Sequence, residues 1–465
     1  MRILLLSPPF KKEYMRNARC DFVSLSATQW YPILLGYCGA YLEGRGHTVR
    51  FVDAPAHYLT HEDTRKIVHD YKPELLVLYT GSMSEENDLE FADSLLKETG
   101  CDCVVVGPYA SINPEKTLSR SRTVDKLIAG EFEAAVGEIA EGIPPKEIKN
   151  LLYKDGDDIV RNPMRDYMTG DALDDIPFVS RFFRDNVDVK RYKTPSELYP
   201  YMDIMTGRGC AWGMCTYCLW VHTFIKGKQY NVRSMENVID EFRFIADEMP
   251  WIRSVMIQDD TFTEERARDF CEMKIAAGIR LPWSCYVKAN MSAEVLALMK
   301  QAGCLNLHVG YESGSEKVLK KIRKGITLEQ MEIFTKRANA AGLRIHADFA
   351  FGFPEETVED AMKTIELACK LKPHTVQFQL MIPFAGTPYY EEMMANGWLN
   401  DDGQPDMPQF TNEDIRKMAK KAYRTFYFSR HYLTLSLRHP WENIFGRLKT
   451  IRRAIPALFW KRWSV

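Results

Sequence analysis

Short apolar runs alternate with amphipathic stretches along residues 1 to about 145. The runs lie at 3–6, 49–52, 75–79, 104–106 and 126–129, with helical spacing between them, as at 33–42 and 89–96. Strands this short and apolar are buried on both faces. They predict a parallel, doubly wound, Rossmann-like α/β domain over 1–145. Ligands of such sheets bind beyond the strand carboxyl ends. Here those ends are Ser7-Pro8-Pro9, Thr80-Gly81-Ser82, Gly107-Pro108-Tyr109 and Gly130-Glu131, rich in small residues that let a planar cofactor approach the backbone. No Gly-x-Gly-x-x-Gly follows the first strand, which argues against a dinucleotide, and there is no Walker A loop.

Residues 146–198 read as a polar connector with an acidic stretch at 154–158 and scattered prolines. Alternation resumes with runs at 202–205, 254–257, 283–286, 305–309, 344–351 and 375–380. Six such units predict a partial (β/α)6, TIM-like barrel over 199–400, with its chemistry at the strand carboxyl ends. Residues 401–465 read as a helical C-terminal region. Within it Trp441, Ile444, Phe445, Leu448, Ile451 and Ile455 recur at helical spacing beside several Arg and Lys. This basic amphipathic stretch, 441–465, either lies on an anionic membrane surface or packs its apolar face on the barrel.

Composition narrows the class. A net charge of -2 on 465 residues gives no global basic field for nucleic acid. The first residues read as a strand rather than a signal peptide, and no apolar run is long enough to span a bilayer. A cytoplasmic protein with reduced thiols is expected; the membrane-surface reading of 441–465 would make it peripheral at the inner membrane face. Of the 11 cysteines, those at 20, 38, 101, 103, 271, 285, 304 and 369 sit mostly in apolar surroundings and read as core.

The other three concentrate the chemistry. Cys210, Cys215 and Cys218 crowd into one loop after the strand at 202–205. Three thiolates suit an iron–sulfur cluster and leave one iron of a four-iron cube open to a substrate or cofactor. A zinc site completed by His222 is the competing reading, and unliganded buried thiols are a third.

Gly207-Arg-Gly-Cys210, Cys215 and Cys218, followed by a partial barrel, resemble the radical S-adenosylmethionine (SAM) superfamily. The preceding sheet resembles that of its cobalamin-binding subgroup. Gly310-Tyr-Glu-Ser-Gly314, Gly352-Phe-Pro-Glu-Glu-Thr357 and Asp259-Asp-Thr-Phe262 extend the resemblance over roughly 1–400. One departure is four residues, not three, between Cys210 and Cys215. The resemblance implies a [4Fe-4S] cluster on the three cysteines, SAM chelated to its open iron, and a 5′-deoxyadenosyl radical that takes hydrogen from unactivated carbon. It places Asp259 and Asp260 at the SAM ammonium, with a helix N-cap as their other role. Lys288 would meet the SAM carboxylate, Glu312 the ribose or sulfonium, and Gly352 to Pro354 the adenine. In the N-terminal half no Asp-x-His-x-x-Gly supplies a histidine to cobalt, and His57 and His61 do not fit that motif. Ser82, Gly107 and Gly130 are the expected cobalamin contacts. Trp30 and Tyr31 either wall the corrin or pack in the core.

Two activities follow from the resemblance: C-methylation of a hydrophobic, lipid-linked or natural-product substrate, or non-methylating cyclisation, rearrangement or carbon–carbon bond formation on a lipid or tetrapyrrole-like one. Both imply an electron donor such as flavodoxin or ferredoxin. A zinc-stabilised cobalamin-binding sensor is the reading from another class.

Overall fold

The computed structural model describes residues 1–17, 21–24 and 28–438. Cys20 and the amphipathic stretch 441–465 lie outside the described residues. Seventeen strands can be followed: β1 (Arg2–Ser7), β2 (Tyr14–Arg16), β3 (Asp21–Val23), β4 (Thr48–Asp53), β5 (Leu75–Tyr79), β6 (Asp102–Val106), β7 (Lys126–Ile128), β8 (Leu151–Asp155), β9 (Asp158–Arg161), β10 (Tyr201–Ile204), β11 (Gly207–Gly209), β12 (Tyr230–Val232), β13 (Ser254–Ile257), β14 (Trp283–Val287), β15 (Cys304–Glu312), β16 (Arg344–Phe351) and β17 (Thr375–Leu380).

The first sheet has the order β4-β1-β5-β6-β7-β8-β9. Its five leading strands are parallel, and the chain reverses direction of progress at β1, so β1 and β5 flank the crevice where such sheets bind ligands. β8 and β9 run antiparallel and extend the edge. This corrects the reading of 146–198 as a plain connector. The acidic run at 154–158 is a hairpin turn, with Gly156 at φ +62°, between two short strands, the second at the sheet edge, whose polar faces escaped an apolar-run criterion.

The second sheet is parallel throughout, in chain order β10-β13-β14-β15-β16-β17. It remains open between β17 and β10. The β17 edge is covered by the helix Asn412–Tyr427: Tyr423 Oη accepts from the Phe378 N–H (3.1 Å), and Tyr427 Oη accepts from the Val376 N–H (3.2 Å). Backbone donors that would otherwise template aggregation are thereby satisfied.

The two sheets share a core. The helix Ile33–Gly44 has no Cβ at Gly36 or Gly39, and the rings of Phe183 and Phe182, on the helix Val179–Asn186, fill that space. Tyr31 is fully buried, stacks on Tyr192 and donates to the Tyr201 carbonyl (2.8 Å), so it is a core residue rather than a cofactor wall. Tyr37 donates to the Met205 carbonyl (2.8 Å) and accepts from its N–H (3.0 Å). The start of the barrel is thus held directly by the N-terminal domain. Among the described residues no helix is long and apolar enough to cross a membrane.

Candidate active site

The cysteine loop leaves β11, and its approach is fixed by a buried carboxylate. Asp259, just beyond β13, accepts from the Thr206 N–H (2.6 Å), the Thr206 hydroxyl (2.5 Å) and the Gly207 N–H (3.1 Å). Arg266 supports the same turn, donating to the Thr206 carbonyl at 2.8 Å. Burial raises the Asp259 carboxyl above its ordinary range, against the pull of Arg266. With three donors and no exposed surface, Asp259 braces the loop. The expectation that it meets the SAM ammonium is corrected on that ground. Asp260 is only partly buried and accepts from the Gly209 N–H (3.1 Å), so it is the aspartate at the loop surface. Thr263, rather than either aspartate, caps the following helix.

The three cysteines are half-buried and unpaired by disulfides. Burial pushes the Cys215 thiol up and the Cys218 thiol up to about 12. Such thiols need a positive centre to ionise, which a metal cluster supplies. The His222 Nε2–H donates to the Cys215 carbonyl (3.0 Å), bracing the π-helical turn Trp220–Phe224. The imidazole is thereby engaged away from the thiols, which weakens the zinc reading. Among the described residues no group of three His, Cys, Asp or Glu side chains is placed to hold a single metal ion.

The extra residue between Cys210 and Cys215 is accommodated by a left-handed turn at Gly213 (φ +60°), which lies against the backbone of Gly227 and Lys228. Trp212 then folds onto Gly325, where a Cβ would stand 2.1 Å from the indole. Its Nε1–H donates to the Arg323 carbonyl (2.8 Å). The Lys288 ammonium sits 3.6 Å from the centroid of a Trp212 ring. Lys288 directly follows β14, within electrostatic reach of Cys215 and Cys210, and burial lowers its pKa.

Glu312 ends β15 with φ +67°, a conformation that a non-glycine residue holds only when its surroundings impose it. It is not a solvated loop carboxylate: it accepts from Lys324 Nζ (2.8 Å), which lies 3.4 Å from the Tyr217 hydroxyl. Burial would lower the Lys324 pKa, but Glu312 and the nearby thiols outweigh it and the net shift is upward. Lys324, Trp212 and Tyr217 were not singled out from sequence. The glycine after Lys324 was the only local mark.

Gly352 is corrected. Its φ of +102° serves a turn whose N–H donates to Glu356 Oε2 (2.6 Å) and whose carbonyl accepts from the Tyr389 hydroxyl (2.7 Å). Pro405 and Ile415 pack its open flank, leaving no face for an adenine. Pro354 is buried.

Beyond β5 and β6 a narrow open cleft lies between the domains, lined by Arg16, Asn17, Asp21, Tyr79, Thr80, Gly81, Pro108 and Tyr109 from one side and Leu219 and Phe384 from the other. Leu219 directly follows Cys218, so the cleft reaches the cysteine loop. Of the expected cobalamin contacts, Gly107 (φ +125°) adjoins this lining. Ser82 follows Gly81 of the lining, and its hydroxyl donates to Asp21 Oδ1 (2.6 Å), another lining residue, on the hairpin of β2 and β3. Gly130 faces Met164 and the Phe224 carbonyl, and Trp30 packs against the shared core. The β2–β3 hairpin, which supplies Arg16 and Asp21, was missed because two three-residue strands carry no periodicity.

Comparisons with known proteins agree with this architecture. Residues 204–368 match the family model of the radical SAM superfamily. An uncharacterised methyltransferase of Pyrococcus horikoshii is 30% identical over 445 residues, 92% of each chain. Cytidylyl-2-hydroxyethylphosphonate methyltransferase of Streptomyces wedmorensis is 24% identical, covering 91% of this chain and 90% of its own. The cobalamin-dependent SAM radical enzyme OxsB superposes over 98% of this chain and 70% of its own with a TM-score of 0.71 at 16% identity, a likeness of fold. On the sequence match and the cysteine loop together, the chain belongs to the radical SAM superfamily and is an enzyme.

Proposed function

We propose that this enzyme is a cobalamin-dependent radical SAM methyltransferase that methylates a carbon of a polar, hydrogen-bonding substrate. The observation that carries the reading is the opposition of two strand-end surfaces. The crevice of the first sheet opens onto Leu219, beside the cysteine loop of the second. The fold of OxsB and the methyltransferase relatives support it.

With the groups bound, the cluster and SAM supply a carbon-centred oxidising radical and cobalamin supplies a methyl group. The residues have separate tasks. Cys210, Cys215 and Cys218 hold the cluster. Asp260, Lys288 and Glu312 would offer the charges that SAM's ammonium, carboxylate and ribose or sulfonium need. Thr80, Gly81, Pro108 and Tyr109 are the residues that would hold the corrin, and Leu219 and Phe384 would exclude water from the cleft.

The barrel lumen supports a substrate class. Along β15 and β16, Leu307, Val309, Ile345, Ala347 and Phe349 belong to the apolar core. The alternate positions Asn306, His308, His346 and Asp348 therefore point inward. His346 contacts the Thr375 hydroxyl (2.7 Å) and Asp348 (3.5 Å), and Gln258 donates to Asp203 (3.1 Å). A closed barrel fills this space with branched apolar side chains. A lumen built of amides, imidazoles and carboxylates supports a polar substrate over the hydrophobic or lipid-linked one expected from sequence.

The test is anaerobic purification from cells supplied with cobalamin. Roughly four irons and one cobalt per chain are expected. Methyl-labelled SAM incubated with separated polar and lipid extracts should label a product in the polar fraction, heavier by one methylene. Iron without cobalt sinks the cobalamin assignment, and label confined to lipid sinks the substrate class.

A further inference from the structure

A long charged side chain binds a ligand well only if it is held in place beforehand, because ordering its rotamers on binding weakens affinity. Lys288, just beyond β14, is partly buried, and among the described residues no carboxylate pairs with it. A carboxylate partner would fix the ammonium but would compete with SAM's own carboxylate. Its seat is instead the face of Trp212, 3.6 Å from Nζ to the ring centroid. An aromatic face attracts an ammonium without neutralising it.

The indole is fixed in turn by three consecutive residues. Its Nε1–H donates to the Arg323 carbonyl (2.8 Å), and its six-membered ring fills the space that a Gly325 Cβ would take, 2.1 Å away. Arg323 and Gly325 both have left-handed backbone, at φ +52° and +67°. Lys324, between them, sends its side chain to the other charged group. Its Nζ donates to Glu312 Oε1 (2.8 Å), and the two side chains are 15% and 12% exposed. Glu312 is itself left-handed at φ +67°, a backbone that its surroundings must hold. One short turn thus supports a cation at the end of β14 and an anion at the end of β15. The extra residue between Cys210 and Cys215 serves the same arrangement: the left-handed turn at Gly213 carries the loop on towards Cys215 once the indole lies on Gly325.

We propose that the turn Arg323–Gly325 is the positioning element of the SAM site, setting Lys288 through Trp212 and Glu312 through Lys324. The inference rests on the placement of SAM given above. Trp212 and Lys324 act through the groups they hold, so they are positioning residues, and their effects should vanish when those groups are removed.

The test is anaerobic calorimetric titration of SAM into the full chain with its cluster oxidised and hydroxocobalamin supplied, conditions under which SAM binds without reacting. W212L should bind SAM about tenfold more weakly than wild type, and W212F, which keeps a ring face, should recover most of the loss. In the K288Q background W212L should cause no further loss. K324M should likewise weaken SAM binding, and should not do so in the E312Q background. G325A displaces the indole and Lys324 together and should weaken binding more than either single change. Iron content should match wild type in every variant. A W212L loss undiminished in the K288Q background, or unchanged affinity in both W212L and K324M, overturns the turn as a positioning element. If K288Q and E312Q themselves bind SAM as tightly as wild type, the placement of SAM fails and this inference with it. If those two alone weaken binding, the placement stands and only this inference fails.

Discussion

Arg208 offers a stringent test of how the two domains are joined. Its guanidinium, 2% exposed, donates to Glu131 (2.8 Å) and Glu133 (2.5 Å), which are 6% and 1% exposed. Both glutamates belong to the N-terminal domain, and Arg208 lies two residues before Cys210. One cation therefore ties the β7 end of the first sheet to the cysteine loop of the second. Replacing it by Met keeps the volume but leaves two buried carboxylates without a countercharge. Breaking a buried pair in this way costs about 3–5 kcal/mol, a large part of the roughly 5–15 kcal/mol that holds a domain folded. For cooperative units of this size that is a fall of roughly 6–20 °C in unfolding midpoint. The assay is calorimetry of R208M, E131Q/E133Q and the triple variant. The triple variant should recover much of the loss, because the unpaired charges are gone. The sign of the pH dependence follows from Glu131, whose pKa is already raised by burial in spite of Arg208. A carboxyl raised in the folded state adds stability below its unfolded pKa and loses it as pH rises through the folded value. Without Arg208 the folded value rises further, so the R208M deficit should be largest at alkaline pH and shrink towards pH 5. A midpoint within about 1 °C of wild type, or a deficit equal at both ends of that range, would refute the reasoning.

Three further outcomes are expected. Glu197 and Glu356 are buried carboxyls pushed up to about 8. Wild-type stability should decline as pH rises through that value, and E197Q/E356Q should flatten the decline in midpoint-against-pH curves. D259N should impair cluster assembly and thermal stability by loosening the turn at Thr206, whereas D260N should leave the midpoint unchanged and weaken SAM binding, read by calorimetric titration. G36A places a methyl 2.2 Å from the Phe183 ring and should destabilise the domain junction by about 1–3 kcal/mol, seen as a lower denaturation midpoint with iron binding retained.

The sequence by itself determined the order of the core elements and the grouping of three cysteines on one loop. Core strands of parallel sheets are uniformly apolar, so β1, β4, β5, β6 and the barrel strands announced themselves locally. Three cysteines in nine residues carry their chemistry in their spacing. Short strands such as β2, β3, β8 and β9 are half polar and gave no such signal. What a given carboxylate does depends on which donors the fold brings to it, and only the tertiary structure decided that. Asp259 and Asp260 are adjacent and chemically identical, yet one is sealed beneath Thr206 and the other reaches the loop surface. Gly352 and Gly107 both have positive φ, yet one is packed by the C-terminal helix and the other borders a cleft. Lys324 became part of the site through Glu312, twelve residues away along the chain. The junction itself, with Phe182 and Phe183 seated on two glycines and Arg208 between two glutamates, is written in contacts between distant residues, which no local pattern encodes.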